Sequence, residues 1–225
     1  MANVYEALQR GRREGGRLAT PLPRLAKPSP ATFAVEMRAL AARLQPLLDD
    51  RKPVTLAITA SGSGEGTSTI ARELAYHMAG EGKSVLFCGD PADIDAVSQG
   101  GPVVEPKLRV LGETNRRGLT LVDISDLQRR DSGFGRKAAF RDWLVDHSGD
   151  FDLVIIDVPP VLQQQSWSGF MAVPDGVIMV VEAERTRSEV LKATTAVIEE
   201  ANGHLLGVVF NKRRRYIPKG LYRWL

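Results

Sequence analysis

The chain has 225 residues, 43% of them hydrophobic, which suits one core with short tails. The formal net charge is only +3 with 25% charged residues, so composition by itself carries no nucleic-acid signature. The lone cysteine, Cys88, excludes an internal disulfide, and no apolar run is long enough to cross a bilayer. No secretory signal follows Met1, so a cytoplasmic protein is expected, with membrane contact peripheral or through a partner.

In chain order, Asn3 to Arg13 is weakly amphipathic, and Pro21, Pro23, Pro28 and Pro30 mark an extended linker. Ser29-Pro30 reads as a helix start, followed by Phe33, Met37, Leu40 and Leu44 at helical spacing, with Pro46 closing or kinking the helix. Val54 to Ala60 is a buried strand. A glycine-rich stretch, Ser61 to Thr69, follows it, and then a helix with Ile70, Leu74 and Met78 on one stripe and Gly80 to Lys83 at its end. Val85 to Cys88 is a second strand that runs into Gly89-Asp90-Pro91. The region from Ala92 to Arg117 is poorly periodic, and Leu108, Val110, Leu119, Leu121 and Val122 allow one or two short strands. Phe134 to His147 is expected to be helical, with Phe140, Trp143 and Leu144 in the core. Phe151 to Asp157 is a strand that ends in a carboxylate, and Gly176 to Val181 is another. Thr186-Arg187-Ser188-Glu189 matches a capping box ahead of a helix carrying Val190, Thr194, Val197 and Ala201. Leu205 to Phe210 is the last strand, closed by Asn211. Apolar strands alternating with helices imply a doubly wound, mostly parallel α/β sheet covered on both faces. The expected layout is a flexible N-terminal segment over 1–30, one domain over 31–211 and a basic aromatic tail over 212–225.

Strand, glycine turn and helix in that order form the context of a phosphate loop. Glycines let backbone N–H groups gather round an anion, and the next helix points its positive end at the same place. Ser63, Gly64, Glu65, Gly66, Thr67, Ser68 and Thr69 are the candidate phosphate-binding residues, with the Ser68 hydroxyl placed to hold Mg2+. A standard loop has lysine where this chain has Thr67. Losing that charge-assisted bond costs roughly 1.5–3 kcal/mol, or about tenfold or more in affinity. Asp157, after an apolar strand, is the second candidate for Mg2+; its alternative is a capped strand end. Asp90 is a further candidate carboxylate or an Asp-Pro turn, and Asn211 either reads a base edge or caps a turn. The tail interleaves Tyr216 and Tyr222, candidate phosphate acceptors, with Lys212, Arg213, Arg214 and Arg215. It is open to four readings: a solvated basic face, an anionic-lipid contact, a site for an acidic partner, or a nucleic-acid contact.

Together these residues resemble the cytoplasmic kinase domain of bacterial tyrosine kinases of capsule and exopolysaccharide systems, a P-loop NTPase fold. The resemblance runs from about Phe33 to Asn211. It rests on Gly64-Glu65-Gly66-Thr67-Ser68-Thr69, on Phe151 to Val161, on Asp175-Gly176-Val177 and on Gly207 to Asn211. It implies Mg-ATP as ligand, Ser68 and Asp157 on the metal, and Asn211 on adenine. It also implies tyrosine phosphorylation in the tail, a ring-forming homo-oligomer and a transmembrane polysaccharide co-polymerase as partner, at the inner face of the plasma membrane; no nucleic acid is expected. Three positions depart from the family pattern. Thr67 replaces lysine, Gly89-Asp90-Pro91-Ala92-Asp93 replaces an aspartate pair followed by arginine, and Val35, Arg38 and Ala41 stand where the oligomerisation helix has a glutamate and two arginines. Two alternatives follow: a pseudo-kinase scaffold in the same pathway, and a chromosome-partition-type positioning ATPase. The latter carry an extra loop lysine that Ser61 to Thr69 lacks.

Overall fold

The computed structural model describes residues 30–50, 53–90, 103–104, 108–113, 118–129 and 134–212. The expected N-terminal segment, and Tyr216 and Tyr222 of the tail, lie outside the described residues. The fold is built on one sheet of eight strands. These are β1 (Val54–Ala60), β2 (Val85–Gly89), β3 (Val103–Val104), β4 (Leu108–Glu113), β5 (Leu119–Asp123), β6 (Leu153–Asp157), β7 (Gly176–Glu182) and β8 (Leu205–Asn211). Their order across the sheet is β3-β4-β5-β2-β6-β1-β7-β8. The six strands from β5 to β8 run parallel, while β3 and β4 add an antiparallel margin.

The apolar runs of the central strands follow from burial on both faces. Leu56, Ile58, Phe87, Ile155, Ile178 and Val180 point to one side, against α1 (Pro30–Asp50) and α2 (Thr67–Gly80). Alternate residues, among them Leu86, Cys88, Val154, Ile156, Val177 and Met179, point to the other. There they meet Phe140, Trp143 and Leu144 of α4 (Phe134–His147) and Ile198 of α5 (Ser188–Glu200). A short helix, α3 (Ser125–Gln128), follows β5. On α2 the expected stripe is buried in full: Ile70, Leu74 and Met78 with Ala71 and Ala75. Cys88 is buried, and burial pushes its thiol pKa up, so it serves as a small apolar side chain. Lys137 of α4 is also buried, its ammonium 5.1 Å from the centre of the Trp167 ring, and desolvation lowers its pKa.

Three expectations change. Pro46 does not end α1, which runs on to Asp50. An interior proline costs about 3 kcal/mol, but it is followed by Leu48, 1% exposed, and burying a leucine contributes about 1.5–3 kcal/mol. The capping box does not form: α5 starts at Ser188, Arg187 occupies the cap position, and no side chain caps the helix. The Thr186 hydroxyl is drawn instead to the carboxylate of Glu65. Finally, cover on both faces thins at β8, where Val209 packs on one side and Leu205 and Val208 on the other, all only half-buried. β8 is an edge strand with Leu206 and Phe210 exposed, and among the described residues no strand pairs with its outer side. Among the described residues no helix is long and apolar enough to cross a membrane.

Candidate functional site

The C-terminal ends of β2, β6 and β1 lie side by side in the parallel sheet, and the glycine loop leaves β1 at that edge. Crevices at the carboxyl ends of parallel strands are where doubly wound folds bind ligands. Here a cleft of about 380 Å3 is lined by Gly62, Ser63, Gly64, Gly66, Thr67, Ser68 and Thr69 from the loop and the first turn of α2. Asp90, Gln128, Asp157, Val158, Pro159 and Pro160 complete it.

The loop takes its shape from two left-handed glycines, Gly64 at φ 77° and Gly66 at φ 95°. Gly66 has a second reason to lack a side chain, since a Cβ there would lie 2.2 Å from Asn211 Nδ2. The first helical bond of α2 runs from Ile70 N–H to the Gly66 carbonyl, 3.0 Å. The preceding amides of the first turn therefore have no acceptor within the helix, and the helix dipole adds positive potential at the cleft.

Glu65 is turned away from the cleft. Its Oε2 accepts the amides of Ser61 and Gly62, each at 2.9 Å, and its Oε1 accepts the Thr186 hydroxyl. The carboxylate thus braces the loop from below and ties it to the turn after β7. Asn211 is likewise engaged with protein. Its Nδ2 donates to the Glu65 carbonyl at 2.8 Å and its Oδ1 accepts the Lys212 amide at 2.8 Å. Ser63 Oγ donates to Gln163 Oε1 across the loop, and Gln128 Nε2 donates to the Asp157 carbonyl at 2.8 Å.

Of the sequence candidates, Ser63, Gly64, Gly66, Thr67, Ser68, Thr69, Asp90 and Asp157 share the cleft; Glu65 and Asn211 buttress its loop instead. Sequence reasoning missed Gln128, Gln163, Thr186 and Lys212. The glutamines carry no distinctive spacing, Thr186 reads as a helix cap, and Lys212 is the first residue of a basic run. Two carboxylates and one hydroxyl suit a cation that keeps most of its water and arrives with phosphate oxygens, as Mg2+ does. Among the described residues no three His, Cys, Asp or Glu side chains form a dedicated metal cage. The amides and dipole suit an anion, but no lysine or arginine is among the described residues lining the cleft.

No protein-family model matches the chain. A search of curated proteins finds the tyrosine-protein kinase CpsD of Streptococcus agalactiae, 24% identical over 172 residues, which are 70% of this chain and 74% of that protein. The likeness is to bacterial tyrosine-protein kinases. Among solved structures, the kinase domain of the Escherichia coli tyrosine kinase ETK superposes with a TM-score of 0.64 at 18% identity, covering 96% of this chain and 91% of that one. A Borrelia burgdorferi putative plasmid partition protein bound to AMPPNP gives 0.54 at 18% identity, covering 77% and 81%. Both likenesses bear on the fold, and they agree with the α/β P-loop architecture described above.

Proposed function

We propose that this chain is a nucleotide-binding component of bacterial capsule or exopolysaccharide synthesis and export, acting on the cytoplasmic side of the membrane with a transmembrane co-polymerase. The observation that carries the reading is the composition of the cleft. A glycine loop, a helix N-terminus, the Ser68 hydroxyl and the carboxylates of Asp90 and Asp157 meet at the ends of three parallel strands. In this reading ATP places its phosphates on the amides from Gly64 to Thr69. Mg2+, held by Ser68 and Asp157 with help from Asp90, supplies charge neutralisation there. The names of the curated relatives, tyrosine-protein kinases, support the kinase-like branch, as does the higher superposition on a tyrosine-kinase domain than on a partition protein.

A pseudo-kinase scaffold is the second reading, favoured by Thr67 and by a cleft whose described lining has two carboxylates and no lysine or arginine. Phosphoryl transfer depends on stabilising charge at the transferred group, so a site without it binds more readily than it turns over. Calorimetric titration with ATP, with and without Mg2+, tests the nucleotide site. Mg-dependent binding is expected, and Ser68→Ala is expected to remove the Mg2+ dependence while leaving the Mg-free affinity unchanged. No binding at millimolar ATP, for either the native chain or Thr67→Lys, rejects the site. Mass spectrometry after incubation with Mg-ATP separates the readings: a phosphate on Tyr216 or Tyr222 supports the kinase, and an unmodified tail in a chain that binds ATP supports the scaffold.

A further inference from the structure

The loop lacks its own lysine, yet a lysine lies on its outer side. Lys212 immediately follows β8, and its Nζ donates to the carbonyl of Gly64, a residue that lines the cleft. Its second partner is Glu182 Oε2 at the end of β7, 3.2 Å away, a carboxylate it shares with Arg185 at 3.5 Å. The reach is fixed by the backbone. Lys212 has φ 55°, a left-handed conformation that few non-glycine residues adopt, and its amide is tied to Asn211 Oδ1. Resting on the reading of the cleft as a nucleotide site, we propose that Lys212 supplies, from the end of β8, the positive charge that Thr67 leaves out of the phosphate loop.

Two features of the geometry favour this role. The ammonium is bonded to a peptide unit of the loop, at an exposed turn, and among the described residues it is the cation placed on this loop. Its bond also orients the cradle. A planar trans peptide holds C=O and N–H on opposite sides. Fixing the Gly64 carbonyl toward Lys212 therefore turns the Glu65 N–H the other way. Asn211, fixing the Glu65 carbonyl, does the same for the Gly66 N–H. Lys212 is thus a positioning residue as well as a source of charge. It acts from outside the loop, where an ordinary phosphate-loop lysine acts from inside.

The test is a set of calorimetric titrations on the full chain with Mg-ATP and with adenosine. The variants are Lys212→Gln, Lys212→Arg, Thr67→Lys and Thr67→Lys combined with Lys212→Gln. Glutamine keeps a donor for the Gly64 carbonyl and removes the charge. Lys212→Gln is expected to weaken Mg-ATP by roughly tenfold and leave adenosine unchanged, while Lys212→Arg stays within about threefold of the native chain. In the Thr67→Lys background the effect of Lys212→Gln is expected to shrink to within about threefold, because the loop then carries its own charge. Unchanged ATP affinity in Lys212→Gln overturns the proposal, as does a parallel loss of adenosine binding or an undiminished loss in the Thr67→Lys background. Binding by Thr67→Lys alone, with none by the native chain, also overturns it and leaves the nucleotide-site geometry standing. If no variant binds ATP, the nucleotide reading fails and this proposal falls with it.

Discussion

Asp152 and Asp157 bracket the same strand, β6, and the fold uses them differently. Asp152 Oδ2 accepts the Ser84 amide at 2.9 Å while its own amide donates to the Ser84 carbonyl at 2.9 Å. Asp175, before β7, repeats the pattern with Thr55, each bond 2.8 Å long. These carboxylates stitch the entries of neighbouring strands at the N-terminal edge of the sheet, where the first amides lack ladder partners. At the opposite edge Asp157 and Asp90 line the cleft, beside the start of α2. The difference teaches that sheet polarity, more than residue type, sets what an aspartate does. At the carboxyl ends a helix dipole and a glycine loop make positive potential, and the carboxylates of Asp157 and Asp90 line the cleft there.

Four substitutions probe the two edges of the sheet. Gly66→Ala has the largest expected effect: φ 95° and the contact with Asn211 both oppose a Cβ, so denaturant unfolding should show a loss of about 2–3 kcal/mol together with loss of ATP binding. Asp175→Ala leaves the Thr55 amide without its acceptor and should cost about 1–3 kcal/mol with ATP affinity unchanged. Asp152→Ala leaves the Ser84 amide without its acceptor and should likewise cost about 1–3 kcal/mol, again with binding unchanged. Asp157→Asn, nearly isosteric at a buried and partnered side chain, has the smallest expected effect on folding, yet should remove the Mg2+ dependence of ATP binding in the same calorimetric titration. Equal destabilisation by Asp157→Asn and Asp175→Ala would erase the distinction between the two edges.

Much of this arrangement was legible in the sequence. β1, β2, β6 and β7 are apolar throughout because both their faces are covered, and that pattern needs no tertiary information. The loop, the stripe of α2 and the two strand-end aspartates were legible for the same local reason. What was hidden depends on distant partners. The antiparallel margin is set by pairing, β4 on β5 and β3 on β4, and not by periodicity. Thr186 has the spacing of a capping box, and only the buried Glu65, brought near by the fold, redirects its hydroxyl. Asn211 reads as a turn residue or a base reader until the fold lays its amide on the loop carbonyl. Lys212 could not be told from the arginines beside it, because nothing local distinguishes a cation that reaches back across the loop.

The register of β1 has a consequence for how the chain reaches this structure. Val54 pairs with Leu153, and Leu56 pairs with Gly176, so the first strand of the domain has no neighbour in the sheet until most of the chain exists. The contact that fixes the loop, Asn211 to Glu65, spans 146 residues. Non-local pairing of this kind is slow, since loop closure precedes its reward. During synthesis β1 emerges ahead of both its sheet neighbours, β6 and β7. The loop after β1 is therefore encoded early and completed late, once β7 and β8 have brought Thr186 and Asn211 to Glu65.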